Sequence, residues 1–143
     1  MKVTLLLADF AQVADGKLTV VGGGWNITGP QPSPSALAVI FEVPWDQTNR
    51  RHQFKLELMD ADGGKVMAES PDSGPVPVCI EGEFEVGRPP GIKPGSSMNF
   101  PLALNLPPQP IRPGQQYEWR LAVNGETDDD WRLGFRARPF PAA

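Results

Sequence analysis

The alternation of apolar and polar residues in the last third of the chain is the feature that most constrains its fold. Every second residue of segment 98–106 is apolar, namely Met98, Phe100, Leu102, Leu104 and Leu106. The same period of two returns in segments 117–123 and 131–137, which a turn at Asn124 and Gly125 separates. Successive side chains of a β-strand point to opposite faces, so a period of two predicts a half-buried strand. The segments therefore predict three consecutive strands.

The positions of the prolines predict that the other strands are short as well. The chain contains 17 prolines, concentrated in segments 30–34, 71–77, 89–94 and 107–113. Proline has no N–H to donate to a sheet ladder, so these segments separate strands. Further apolar or alternating runs lie at residues 2–10, 18–21, 36–44, 53–60, 65–69 and 78–86. We predict eight or nine strands in one domain over residues 1–143, with a proline-containing tail at 138–143.

Segment 111–119 favours one class of β-sandwich. It contains Ile111, Gly114 and Tyr117 ahead of an alternating run. In immunoglobulin and fibronectin type III sandwiches, a tyrosine near the start of the sixth strand hydrogen-bonds to backbone a few residues upstream. The C-terminal half resembles those domains, with Pro113 near the expected bonding position; the alternative is a tyrosine that only alternates into the core. We predict an all-β, immunoglobulin-like antiparallel β-sandwich with Greek-key connections.

Composition and charge limit the kinds of partner that the protein can bind and the cellular compartments in which it can reside. The formal net charge is −4 and no lysine–arginine group stands free of acidic neighbours, which disfavours nucleic-acid binding. No apolar run approaches the roughly 20 residues of a membrane span. The single cysteine, Cys79, excludes an internal disulfide and favours a reducing compartment. We predict a cytoplasmic protein, or a virion protein under the phage alternative given below.

Few residues of the chain could carry catalysis. His52 is the only histidine and lies beside Arg50 and Arg51 in a polar segment, so we interpret it as a surface residue. Cys79 begins a strand with one apolar face, which favours a buried structural thiol over a nucleophile. One histidine and one cysteine are too few ligands for a zinc site. We predict no catalytic residue, no cofactor and no enzymatic activity.

Two acidic segments are the candidates for a metal site. Asp60 and Asp62 precede Gly63, and the second segment contains Asp128, Asp129 and Asp130. Calcium takes six to eight oxygen ligands, often from loops at one end of a sandwich. Turns also select aspartate and glycine, and this is the interpretation that we favour. If either segment binds calcium, we expect it to be the loop at 128–130.

Two stripes of like charge are candidates for interaction. Glu81, Glu83 and Glu85 share the outer face of one strand, and Arg132 and Arg136 share that of another. The simpler interpretation is solubility. The sharper hypothesis is that the stripes pair across strands or across subunits, because a basic neighbour relieves the repulsion between like charges.

Three aromatic residues complete the interaction candidates. Trp25 follows three glycines and Trp45 follows Pro44, so both lie at strand ends, where they either cap the core or anchor an interface. Phe140 lies in the C-terminal tail, where it is free to dock on a neighbouring copy of the chain.

Residues 1–25 resemble the opening of a family of uncharacterised bacterial proteins of similar length. The resemblance is carried by Ala8 and Asp9, by segment 14–18 and by segment 22–25, Gly-Gly-Gly-Trp. It extends through Pro44 and Trp45 and the hairpin at 58–63. The resemblance implies membership of an uncharacterised family and no site residues.

The absence of a catalytic constellation leaves an interaction role as the leading hypothesis. We predict a non-enzymatic protein–protein interaction or assembly module that associates with itself. One alternative is a phage or prophage structural protein, such as a capsid decoration or tail component. A second is a small-ligand-binding or enzymatic domain with a site at one end of the sandwich, near Trp25 or the acidic loop at 128–130.

Overall fold

The computed structural model describes residues 1–142 and consists of strands, turns and one short 3-10 turn at Trp45–Gln47. The strands are β1 (Lys2–Ala14), β2 (Lys17–Gly23), β3 (Ile27–Thr28), β4 (Ser35–Val43), β5 (Arg51–Asp60), β6 (Met67–Ser70), β7 (Gly74–Pro77), β8 (Cys79–Glu85), β9 (Met98–Leu106), β10 (Gln116–Val123) and β11 (Glu126–Ala137). The all-β prediction is confirmed. Residues 138–142 of the predicted tail follow the last strand, and Ala143 lies outside the described residues.

The strands form two large sheets and one small one. The first large sheet has the order β2-β1-β4-β9 and the second the order β3-β11-β10-β5-β8, while β6 pairs with β7. All pairings are antiparallel except that of β3 with β11, which is parallel. We predicted eight or nine antiparallel strands; residues 1–142 contain eleven strands, nine of them in the two large sheets, and one of the pairings is parallel. Two-residue β3 and proline-containing β7 are too short or irregular to show a period of two in the sequence.

The C-terminal alternation predicted three strands correctly. Strand β9 spans Met98–Leu106 and coincides with the alternating run. It joins the first sheet beside β4, whereas β10 and β11 pair with each other in the second sheet. The three consecutive strands are thus shared between the two sheets.

One hydrophobic core contains residues from both large sheets. Alternate residues of β4, from Leu37 to Val43, are fully buried, and the same core contains Leu56 of β5 and Trp119 of β10. The ring of Phe41 stacks on Phe84 of β8 at 4.3 Å between ring centres. Burial of each large apolar side chain contributes about 1.5–3 kcal/mol, so this shared core is the main source of stability.

The hairpin of β1 and β2 packs on the outside of the first sheet. Ala8 and Ala11 of β1 are fully buried against Ala36 and Ala38 of β4. The Asn105 side chain fixes this arrangement by accepting from the Ala11 N–H at 3.2 Å and donating to the Ala11 carbonyl at 2.7 Å. Alanine side chains leave room for the hairpin, whose opposite surface faces solvent.

A tyrosine corner closes the entry to β10. The Tyr117 hydroxyl accepts a hydrogen bond of 2.7 Å from the backbone N–H of Arg112, and the tyrosine side chain is buried. Gly114 makes the intervening turn with a φ of 77°, a conformation that favours glycine. The predicted corner is confirmed, although the bond is made to the Arg112 amide rather than at Pro113.

We expect the Tyr117→Phe variant to lower the free energy of unfolding by about 1–3 kcal/mol, because the Arg112 N–H then loses its partner in a partly buried position. Urea denaturation followed by tryptophan fluorescence measures the change. Equal midpoints for the variant and the parent chain would show that the corner does not contribute to stability.

Candidate functional site

His52 lies in the core, so its interpretation as a surface residue was wrong. The side chain is 1% exposed and stacks on Phe84 with 5.2 Å between ring centres. Nε2 donates to the carbonyl of Gln47 at 2.8 Å, since a carbonyl can only accept. Nδ1 lies 3.0 Å from Nδ2 of Asn124, which donates to it. Both ring nitrogens are therefore used within the chain.

The alternation of β5 explains this position. His52 shares the inward face with Phe54, Leu56 and Leu58, whereas the adjacent arginine points outward. Asn124 occupies the turn between β10 and β11 at a φ of 52°, and its Oδ1 accepts from the Gln53 N–H at 2.9 Å. His52 and Asn124 thus connect three chain segments through hydrogen bonds. Their arrangement indicates a structural role.

The Cys79 thiol is partly exposed rather than buried, which corrects the sequence-based prediction. It lies at the start of β8, opposite Glu57, and its sulfur is 3.9 Å from a carboxylate oxygen of Glu81. Partial burial raises the pKa of Cys79; Lys55 lowers it, and Glu81 and Glu57 raise it further. The Glu57 carboxylate in turn raises the pKa of Lys55. A raised pKa keeps the thiol protonated and makes it a poor nucleophile.

The acidic segments serve turns and a bulge. Asp60 Oδ1 accepts from the N–H groups of Asp62 and Gly64 at 3.0 and 2.8 Å, as the turn interpretation predicts. The predicted loop at 128–130 lies inside β11, where several residues bulge opposite a single residue of β10.

The three carboxylates of this bulge are not gathered around one point. Asp128 accepts from the Asp130 N–H at 2.9 Å, and Asp129 lies 3.8 Å from Arg132. No group of three or more histidine, cysteine, aspartate or glutamate side chains in residues 1–142 is arranged to hold a metal ion. Asp128, Asp129 and Asp130 were only the weaker, metal-binding alternative to a turn, and their geometry adds no support to that alternative.

Trp25 packs at one end of the core. Its ring meets Phe135 edge-on at 6.3 Å, and within the described chain its buried Nε1 has no hydrogen-bond partner. The adjoining cavity, which Thr28 and Gln109 also line, has a volume of about 20 Å³. This volume fits one water molecule, which would satisfy the indole N–H.

Trp45 is held by a neighbouring arginine. The Arg88 guanidinium lies 3.9 Å from the centre of the Trp45 ring. Its Nη2 donates to the Trp45 carbonyl, and its Nε donates to Thr48 Oγ1, each at 2.6 Å. Trp45 therefore fastens the segment after β4 to the end of β8.

The charged stripes lie on the same outer face of the second sheet, separated by β10 and β5. Glu81 has a basic neighbour on β5, Lys55, at 3.9 Å, and Glu83 has Arg51 at 4.0 Å. Arg136 donates to the side chain of Gln116 at 2.9 Å. The stripes therefore do not pair with each other within the chain, and pairing of Arg132 and Arg136 across subunits remains a prediction.

An exposed apolar surface on the β1–β2 hairpin was not predicted from the sequence. Phe10 of β1 and Val21 of β2 are 45% and 53% exposed and lie opposite each other in the ladder. Val13 and Leu6 of β1 are also exposed. The hydrophobic pattern of residues 2–10 alone suggested burial on both faces.

A family model matches residues 3–136, which is most of the chain. The chain belongs to DUF6941, a family of unknown function. This agrees with the resemblance of residues 1–25 to an uncharacterised family. No curated protein and no solved structure matches the chain significantly. Within residues 1–142, no helix has the length and hydropathy needed to cross a membrane.

We expect His52→Phe to destabilise this DUF6941 chain by about 1–3 kcal/mol, because the Gln47 carbonyl and the Asn124 amide both lose a buried partner. His52→Ala costs more, since it also opens a cavity. Chemical denaturation measures both. The neighbouring exposed substitution Gln53→Ala is the control and should stay within about 0.5 kcal/mol of the parent.

Alkylation of Cys79 by iodoacetamide should respond to its charged neighbours. Glu81→Gln removes a charge that raises the thiol pKa, so we expect a roughly twofold to fivefold faster reaction, and Lys55→Gln should slow it. Intact mass measured over time at one mildly alkaline pH gives the rates. Glu85→Gln, on the same strand, is the control; equal rates in all variants would contradict the electrostatic account.

Proposed function

We propose that this chain is a non-enzymatic protein–protein interaction module that associates with itself. The observation that carries the proposal is the exposed apolar surface of the β1–β2 hairpin, where Phe10 and Val21 lie side by side on the outward face. Contiguous exposed apolar side chains are uncommon on monomeric proteins and often mark a site of association. Burial of these side chains against a second molecule would be favourable by the same effect that stabilises the core.

The residues that are the chain's candidates for catalysis or ligand binding support this choice. Both ring nitrogens of His52 are engaged, by Gln47 and Asn124. The pKa of Cys79 is raised, which disfavours its thiolate. The cavity beside Trp25 measures about 20 Å³, whereas sites for small ligands usually measure about 300–1,000 Å³. The alternative of a ligand site at this end of the molecule is therefore less well supported.

The charged stripes are a weaker candidate for the same function. Exposed ion pairs contribute about 0–1 kcal/mol each, and the glutamates of β8 already have basic neighbours on β5. Phe140 is 56% exposed in the tail and could add to an apolar interface. We place the main contact at the hairpin, because its exposed residues are apolar and are held on paired strands.

We further propose that the two large sheets form an immunoglobulin-like sandwich with Greek-key connections. The proposal is supported by the order β1-β4-β9 in one sheet and β11-β10-β5-β8 in the other, which matches the A-B-E and G-F-C-C′ strands of such domains. The Tyr117 corner is a second supporting observation. An experimental structure in which the sheets do not pack face to face at about 30° would contradict it.

We expect the molecular mass of the purified protein to exceed the 15.5 kDa of one chain and to rise with concentration through the micromolar range. Sedimentation equilibrium measures this mass directly. Exposed apolar contacts predict that moderate salt leaves the association intact, whereas pairing of the charged stripes predicts its loss. A mass of one chain at every concentration would refute self-association.

A further inference from the structure

We propose that the turn between β10 and β11 is a site of spontaneous chemical modification, at which the Asn124 amide is converted to a carboxylate. The reaction proceeds at a rate set by how often this turn detaches from His52. Asn124 is the only asparagine in the sequence that precedes a glycine. Glycine has no side chain to hinder attack by its own backbone nitrogen, so an asparagine before glycine is the most reactive kind in an unfolded chain. The proposal does not depend on self-association, because both reacting groups belong to one chain.

The reaction replaces the side-chain amide nitrogen by oxygen from water. The Gly125 N–H gives its proton to hydroxide or to a buffer base, and the nitrogen then attacks Cγ of Asn124. The bond from Cγ to Nδ2 breaks, Nδ2 takes up a proton, and ammonia leaves a five-membered succinimide behind. Water opens this ring at either carbonyl, which gives aspartate or isoaspartate. No oxidant or reductant is needed, since no atom changes its oxidation state.

The nucleophile of this reaction is accessible in the folded chain. Asn124 and Gly125 are the two residues of the turn between the paired residues Val123 and Glu126, and both are exposed. The Gly125 N–H makes no hydrogen bond within residues 1–142. The nitrogen is therefore available to a solvent base without an opening of the fold.

The electrophile, in contrast, is fixed by three hydrogen bonds to β5. Asn124 Oδ1 accepts from the Gln53 N–H at 2.9 Å, and Nδ2 donates to Nδ1 of His52 at 3.0 Å. The Asn124 N–H donates to the Gln53 carbonyl at 2.8 Å. To reach bonding distance of the Gly125 nitrogen, Cγ has to move relative to β5, and the two side-chain bonds do not survive that movement.

His52 is a rigid anchor for this amide. The side chain is 1% exposed and stacks on Phe84, and Nε2 donates to the Gln47 carbonyl at 2.8 Å. A neutral imidazole that donates through Nε2 can only accept through Nδ1, so the bond from Asn124 satisfies the remaining nitrogen. The reactive amide is thus tied to the core. It reacts only in the fraction of molecules in which the turn has opened, and such local opening costs less free energy than global unfolding.

The turn between β1 and β2 provides a comparison with the same backbone geometry. Asp15 and Gly16 have φ angles of 51° and 68°, against 52° and 79° for Asn124 and Gly125. Both residues of the β1–β2 turn are exposed. The Asp15 side chain makes no hydrogen bond or ion pair within residues 1–142. The two turns therefore differ in whether the side chain at the first position is tied to another strand.

Conversion at Asn124 breaks its side-chain connection to His52 permanently. A carboxylate has no N–H to donate to Nδ1 of a neutral His52, and isoaspartate also lengthens the backbone of the two-residue turn by one bond. The product adds a negative charge beside Glu126 and the acidic bulge at 128–130, in a chain whose net charge is already −4. Refolding does not reverse the hydrolysis, so the modified fraction records the time that the turn has spent open.

Peptide mapping by mass spectrometry of the full chain, incubated at mildly alkaline pH, tests the control by β5. The Asp15→Asn variant places a second asparagine–glycine pair in the unanchored turn of the same molecule. Relative to its own rate in concentrated urea, where neither turn is formed, the introduced site should be converted severalfold faster than Asn124. Equal relative rates at the two sites would show that the hydrogen bonds to β5 do not control the reaction, and would overturn the proposal.

A second pair of variants separates local opening from global unfolding. His52→Phe removes the acceptor of Nδ2, so conversion at Asn124 should be about twofold to tenfold faster, the range expected for the loss of one hydrogen bond. Tyr117→Phe is the matched control, since it destabilises the chain by a similar amount but leaves the partners of Asn124 in place, and the rate should be unchanged. Equal acceleration in both variants would assign the reaction to global unfolding and refute the control by His52. Absence of conversion at Asn124 in both the parent and His52→Phe would refute the site itself.

Discussion

The burial of β4 on both of its faces is the constraint on which the rest of the structure depends. The inward residues of β4 are large and apolar and meet the second sheet, whereas Ala36 and Ala38 on the outward side are small and lie under the β1–β2 hairpin. Because β4 is covered on both faces, its side chains determine the positions of the second sheet and of the β1–β2 hairpin. The core determines how the sheets meet, and the small outer residues determine where the hairpin lies.

The polar residues that attract notice in the sequence mostly complete this architecture. His52, Asn105 and Asn124 each satisfy backbone groups or one another at places where the sheets turn or curl. Buried polar groups cost free energy unless they are hydrogen-bonded, so such residues are selected for their bonding geometry. A single histidine in an otherwise ordinary chain is therefore no indication of catalysis here.

The sequence predicts strands well where alternate side chains are buried, and it predicts the structure less well elsewhere. Strands β5, β9 and β10 could be predicted because a period of two marks a half-buried strand directly. The alternation also assigns His52 to the inward face. The two arginines that precede it in the sequence led instead to the prediction of a surface residue. The curl of the hairpin and the bulge in β11 depend on contacts between distant residues, which no local pattern records. The candidate surface at Phe10 and Val21 was missed for the same reason: the sequence does not show that β4 stops pairing with β1 at Ala8.

The contact between Asn105 and Ala11 joins residues 94 positions apart. The hairpin that it secures is therefore synthesised well before the residue that secures it. Contacts of such long sequence separation form slowly, because the closure of a long loop must precede them. Until residue 105 has joined the chain, the hairpin can form its own turn but cannot complete its docking. The alanine surface of the hairpin therefore lacks its partner until the chain has grown at least to Asn105.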